Sequence, residues 1–233
     1  MARFLFVTLF RYVVGAVIIY SIIQYALRYK NYNISPKHFR TVAEKFAGQH
    51  PSHSAPRIVG ELRQKYFDHI LFEGELGWVS ASFGTVDTKM MLLHGSLTEY
   101  IAIIGTPFAT SGNIGLHWMN QTCTVLNGNI QRLSDSTPLQ NPESFGTGDN
   151  FRLTEFESTL ISSGDDTYLM CYGRGFVPVS GLQVLFGTAV GAGDIISAVK
   201  VSMAYGLAIV RDTAITVQHT YDSSKAWIMS KVQ

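Results

Sequence analysis

The stretch FLFVTLFRYVVGAVIIYSIIQYAL, from Phe4 to Leu27, is the feature that most limits what this chain can become. A helix needs about 20 mostly apolar residues to cross a bilayer, and this stretch has them. Arg11 is its one charged residue. An arginine near a helix end can snorkel to the headgroups. The run is too long for a signal-peptide core, and no small-x-small cleavage site follows it, so the reading is a retained N-terminal anchor. The flanks are one-sided: no Asp or Glu precedes Glu44, whereas Arg3, Arg11, Arg28, Lys30, Lys37 and Arg40 all do. Positive charge is denser after the run than before it, which favours a body on the cytosolic or matrix side. An acid-free, arginine-bearing start also fits mitochondrial import.

Composition agrees with a lipid-facing chain. Charged residues make up 15% of it and hydrophobic residues 46%, against about 25% charged in ordinary soluble proteins. A net charge of +1 supplies no basic field for nucleic acid. Two cysteines cannot make a disulfide framework, and no CxxC occurs.

The spacing divides the body into parts. Residues 1–30 are the anchor, and 31–77 form a helical connector. In the connector, Ser35 and Pro36 suit a helix start and Gly48 a stop. QHPSHSAP reads as a polar connection, and RIVGELRQKYFDHI returns to helical spacing. Residues 78–177 carry short strands between glycine-rich turns, clearest in SLTEYIAIIGTPF, HWMNQTCTVLNGN and DDTYLMCYGRG, as in a sandwich or small barrel. Period-two alternation puts His117, Met119, Gln121, Cys123 and Val125 on one face, and Thr167, Leu169 and Cys171 on another. TYLMCYGRGFVP reads as a strand entering a Gly-Arg-Gly turn. Residues 178–233 are nearly charge-free at first and fit two helices broken near Gly191 and Gly193, with Asp194 opening the second and a tail after it. Their small residues and apolar faces suit close packing or a membrane interface.

Catalytic and metal motifs are thin. GTAVGAG lacks the lysine and hydroxyl of a phosphate loop. His94 and Glu99, five residues apart, alternate onto opposite strand faces and form no metal pair. Asn120-Gln-Thr is a formal glycosylation sequon in mid-strand. GxSxG and HExxH do not occur. No metal or cofactor is expected. On residue type alone, Cys171 is a small buried apolar side chain.

The motifs ELGWV, MLLHGSLTEYIAIIGT, HWMNQTCTVLNG, CYGRGFVP and GTAVGAGDIISAVKVSMAYGLA resemble, in order and spacing, the sigma-1 receptor and fungal sterol isomerase family. The resemblance implies one N-terminal transmembrane helix, a cupin-like β-barrel around an apolar pocket, and two C-terminal helices covering it against the membrane. It also implies the endoplasmic reticulum membrane, with a homotrimer as one form. The fold class expected is therefore mainly β with helices. In the family the pocket centres on two carboxylates, a Glu just before YGRG and an Asp five residues beyond the Trp of the middle strand. Cys171 and Cys123 stand at those places here. Tyr100 matches the tyrosine that bonds the family's Glu. Leu153 falls at a pocket histidine, while Val86, Ile104 and Ser163 replace aromatic pocket positions, and Met90 and Tyr205 are expected walls.

Moving an alkene through a carbocation needs an acid strong enough to protonate carbon, and then a base. A thiol is weaker than a Glu carboxyl by roughly four powers of ten, about 6 kcal/mol, before burial weakens it further. Sterol isomerisation and binding of cationic amines both lose their basis. The expectation is a pseudoenzyme: an accessory or scaffold subunit of a membrane protein assembly, in contact with the bilayer and other membrane subunits. The alternatives are a binding protein for a neutral sterol or lipid, and an active isomerase working through other residues. The endoplasmic reticulum and mitochondrial inner membranes both remain open. Cys123 and Cys171 are expected to face each other, buried and reduced.

Overall fold

The computed structural model describes residues 2–135 and 141–232. It divides into two compact units, residues 1–32 and 33–233. The first is a helix, α1 (Ala2–Tyr29), whose segment Phe6–Tyr29 is long and apolar enough to cross a membrane.

The second unit opens with α2 (Pro36–Lys45) and α3 (Pro51–Tyr66). Pro36 sits at the start of α2 as the spacing predicts, although the Ser35 side chain makes no capping bond. PSHSAP is helical rather than a connection. The first turn of a helix has amides without helical partners, so Pro51 fits there, and His50 Nδ1 accepts from the Ser52 amide.

Among the described residues ten strands follow: β1 (Val79–Phe83), β2 (Val86–Gly95), β3 (Glu99–Thr106), β4 (Thr110–Asn113), β5 (Met119–Asn127), β6 (Asn129–Ser134), β7 (Glu143–Gly146), β8 (Asn150–Leu153), β9 (Thr159–Ser163) and β10 (Thr167–Gly175). They form two antiparallel sheets, one of six strands in the order β1-β2-β3-β10-β5-β8 and one of four in the order β4-β9-β6-β7. The expected barrel is not closed. One edge of the large sheet, β1, meets the turn between the C-terminal helices instead of a strand: the Ser82 amide donates to Thr188 Oγ1 at 3.0 Å. That contact satisfies an edge amide without a further strand.

Strand alternation sorts the side chains of β10 onto two faces, as the sequence predicts. Met170 and Tyr172 pack with Phe39, Val42, Ile58 and Leu62 of α2 and α3. Leu169 and Cys171 point to the other side, among Val125, Ile130 and Phe151 between the two sheets. The expected Gly-Arg-Gly turn is instead the last part of this strand. Its glycine at 173 is needed for close approach: a Cβ there would lie 2.2 Å from Tyr100 Cε1 and 2.8 Å from Met119 Sδ.

His94 and Glu99 share a face, contrary to the alternation argument. A bulge between Leu92 and His94 shifts the phase of β2 and sets His94 opposite Ile101. Glu99 accepts from the Asn33 amide at 2.9 Å and from the Tyr172 hydroxyl at 2.8 Å, on the side covered by α2 and α3. Among the described residues, no group of three or more His, Cys, Asp or Glu could hold a metal.

The chain ends in α4 (Val177–Phe186), a wide π-type turn (Gly187–Gly191) and α5 (Ile195–Val232). The break falls where the glycines place it: Gly193 has φ +68°, and Asp194 Oδ1 accepts from the Ser197 amide at 2.9 Å. α4 and α5 cover part of the large sheet, packing Val177, Val184, Val201 and Ala208 on Met90, Leu92 and Tyr100. Their other side carries Leu182, Phe186, Val190, Ile196 and Met203, each more than half exposed.

Candidate functional site: an uncharged cavity under the C-terminal helices

Two apolar cavities adjoin inside the second unit. The inner one lies between the sheets and is lined by Val86, Ile104, Ile130, Phe151, Leu153, Leu169, Cys123 and Cys171, among others. The outer one lies between the large sheet and the C-terminal helices, against Met90, Leu92, Tyr100, Met119, Val177, Ser180, Val184, Val201 and Tyr205. Phe83, His117 and Gln121 line both. The two spaces therefore meet across these three side chains.

Cys123 and Cys171 stand directly opposite each other in the pairing of β5 with β10, with Cα atoms 4.1 Å apart. Their sulfurs are joined in a disulfide, which corrects the expectation of two reduced thiols. Both are buried, at 1% and 2% exposure. Facing positions on adjacent strands bring the side chains together, and the bond leaves neither sulfur able to give or take a proton. Tyr100 finds a different partner from the one expected of its family counterpart: its hydroxyl donates to Gln121 Oε1 at 2.7 Å. Tyr205 donates to the Ser96 carbonyl at 3.0 Å. Ser163 is buried on β9, where its hydroxyl donates to the Thr110 carbonyl, and it does not line either cavity.

Among the described residues, no Asp, Glu, Lys or Arg lines either cavity. Burial pushes the phenols of Tyr100 and Tyr205 well above their ordinary range, so both stay protonated. The same desolvation lowers the pKa of His117, and its bond to the Ile114 carbonyl offsets only part of the effect. The ring is neutral at pH 7. Such a lining can hold an apolar molecule, but offers no charge to a cation or a carbocation.

His117, Gln121 and Ser180 were not singled out as site residues from the sequence. The signal for two of them was present, because His117 and Gln121 share the period-two face of Cys123. Ser180 comes from α4, and only the packing of that helix on the sheet brings it to the cavity.

The family model described as "ERG2 and Sigma1 receptor like protein" matches residues 10–216. The chain belongs to this family. A sigma non-opioid intracellular receptor 1 from Danio rerio is 32% identical over 149 residues, covering 64% of this chain and 66% of the relative. The chain thus spans about two thirds of that relative's length. The C-8 sterol isomerase erg2 of Aspergillus fumigatus is 26% identical over 150 residues, covering 63% of this chain and 62% of the relative. Among solved structures, an RmlC-like cupin from Shewanella frigidimarina shares 15% identity with a TM-score of 0.39, over 46% of this chain and 90% of that one. Family membership and the apolar helix at Phe6–Tyr29 together mark a membrane protein. The mitochondrial alternative has no support in this family.

Proposed function

We propose that this chain is a non-catalytic member of its family that holds a neutral sterol or other lipid in the cavity beneath α4 and α5. The observation that carries the reading is the uncharged lining, with a disulfide standing where the resemblance puts two carboxylates. Protonating an alkene carbon needs a proton donor far stronger than a buried phenol or a neutral imidazole. Binding an apolar molecule needs only dry, complementary walls. The test offers the purified full chain, in detergent, an 8-ene sterol. No 7-ene product forms, whereas a neutral sterol binds saturably and a hydrophobic amine cation does not displace it. Turnover above a heat-killed control, lost in Tyr100→Phe, would make the chain an isomerase after all.

An accessory or scaffold role in a membrane assembly is the second reading, and α5 favours it. Beyond the sheets, Val210, Val217 and Tyr221 leave an apolar row largely exposed, suited to another membrane subunit or a second copy of this chain. Purification from native membranes, followed by identification of what travels with the chain, tests this role. Recovery as a lone monomer counts against it.

The membrane proposed is that of the endoplasmic reticulum, with the body on the lumenal side. A disulfide persists in an oxidising lumen and is rare where glutathione keeps thiols reduced. The charge asymmetry around α1 points the other way, but it rests on a handful of residues. Protease protection of the body in sealed microsomes is the expected result, and digestion without detergent would reverse the orientation.

A further inference from the structure

Asn120-Gln121-Thr122 has the form of an acceptor for an N-linked glycan. Side chains alternate along β5, so the three residues divide between the two faces of the sheet. Gln121 points inward, where it lines both cavities and accepts from the Tyr100 hydroxyl at 2.7 Å. Asn120 and Thr122 lie on the opposite face, and both are half-buried. Their neighbours at this end of the strand are polar: Asn120 pairs with Arg174 of β10, and Thr122 with the exposed Arg152 of β8. Asn120 Oδ1 accepts from Arg152 Nη2 at 3.2 Å. Among the described residues nothing bonds its Nδ2, and unlike His94 Nε2 that nitrogen keeps contact with solvent. The atom that carries the sugar in such a linkage is therefore uncommitted.

Asn33-Ile34-Ser35 has the same form but a different setting. Asn33 Nδ2 is turned to Oδ1 of the buried Asp212 at 3.4 Å, and Ile34 beside it is fully buried. A sugar on Asn33 would displace that contact, whereas one on Asn120 displaces no bond that its Nδ2 makes. We propose that Asn120 is an N-glycosylation site, filled while the chain is still extended in an oxidising lumen. The inference rests on the lumenal orientation proposed above, which the disulfide supports. The donor is an oligosaccharide joined to a lipid through a diphosphate. Asn120 Nδ2 attacks the first sugar carbon, and a C–N bond forms as the bond from that carbon to the diphosphate oxygen breaks. The lipid diphosphate leaves with the bonding pair, and the amide gives up one proton to a base of the transferase. In the folded chain the glycan projects from the face of the sheet opposite the cavities, so it closes neither.

The experiment expresses the full chain in eukaryotic cells and treats it with peptide N-glycosidase, which frees the glycan and leaves Asp in place of the glycosylated Asn. The chain should run as a heavier form that collapses by a single step on treatment. Done in heavy-oxygen water, which tells enzymatic release from spontaneous deamidation, peptide mass spectrometry should place the label at position 120. Asn120→Gln and Thr122→Ala should each remove the step, Thr122→Ser should keep it, and Asn33→Gln should leave it unchanged. A body that resists protease in sealed microsomes but never shifts overturns the site and leaves the orientation standing. A body that is digested and never shifts overturns both. A shift that survives Asn120→Gln and disappears in Asn33→Gln also overturns the assignment. Because the transfer precedes folding, a variant that folds poorly still reports whether it was glycosylated.

Discussion

At the scale of single residues, two positions carry most of the consequences. Cys123 and Cys171 close a loop of 48 residues between neighbouring central strands. A cross-link of that span removes chain entropy from the unfolded state worth about 3–4 kcal/mol in the loop-closure account. The double variant Cys123→Ala/Cys171→Ala is therefore expected to unfold at lower urea, with a loss in that range. The unaltered chain, denatured without reductant, should take up no maleimide. Labelling of both cysteines would show that the pair is open in the native protein. Gly173 matters for a different reason. Its backbone passes so close to Tyr100 and Met119 that a Cβ has no room. Gly173→Ala should displace the Tyr100 ring, break its bond to Gln121 and cost about 1–3 kcal/mol, as overpacking of a core does. An unchanged denaturation midpoint would mean the ring shifts freely.

Among the elements, α4 and α5 face two ways. Val184 and Val201 hold them to the sheet, and Phe186, Val190 and Ile196 project outward at 66%, 77% and 71% exposure. An outward face this apolar lies comfortably in the headgroup boundary of a bilayer. A chain reduced to residues 33–233, which form one compact unit, should still float with phosphatidylcholine vesicles. The variant Phe186→Glu/Val190→Glu/Ile196→Glu should lose most of that binding without losing its fold, since these side chains lie outside the core. If the truncated chain stays in the aqueous fraction without detergent, the helices do not meet the membrane. Opposite this pair, α2 and α3 seal the other face of the large sheet and bring Phe39 and Leu62 into its core. The cavities thus have one wall of sheet that is rigidly backed.

For the whole molecule, the buried histidines set a direction for stability against pH. Desolvation lowers the pKa of both His94 and His117, and each is almost fully buried. In the unfolded chain both titrate near pH 6.5. As pH falls below that value, the unfolded state takes up protons that the folded state refuses, so the folded state loses ground. The stability they contribute is present above about pH 7 and declines as pH drops from 6.5 toward 5. Thermal midpoints taken at pH 7.5 and 5.5 should show the fall, and His117→Phe should show a smaller one. An equal fall in the variant would assign the effect elsewhere.

The sequence alone determined whatever depends on local periodicity. The anchor was legible because membrane crossing requires only length and apolarity. The break before α5 was legible because glycine and an acidic cap act within a few residues. Strand alternation placed Leu169 and Cys171 on one face and Met170 and Tyr172 on the other, and the motifs named the family. Tertiary structure decided what depends on partners distant in the chain. The bulge beside His94 undid a simple count of alternation, because register is settled by pairing with β3. At the edge of β1 the Thr188 hydroxyl, distant in the chain, took the place of a further strand. The two cysteines bonded because β5 and β10 set them in exact register across 48 residues of chain. Ser180 became a cavity residue only when α4 packed on the large sheet.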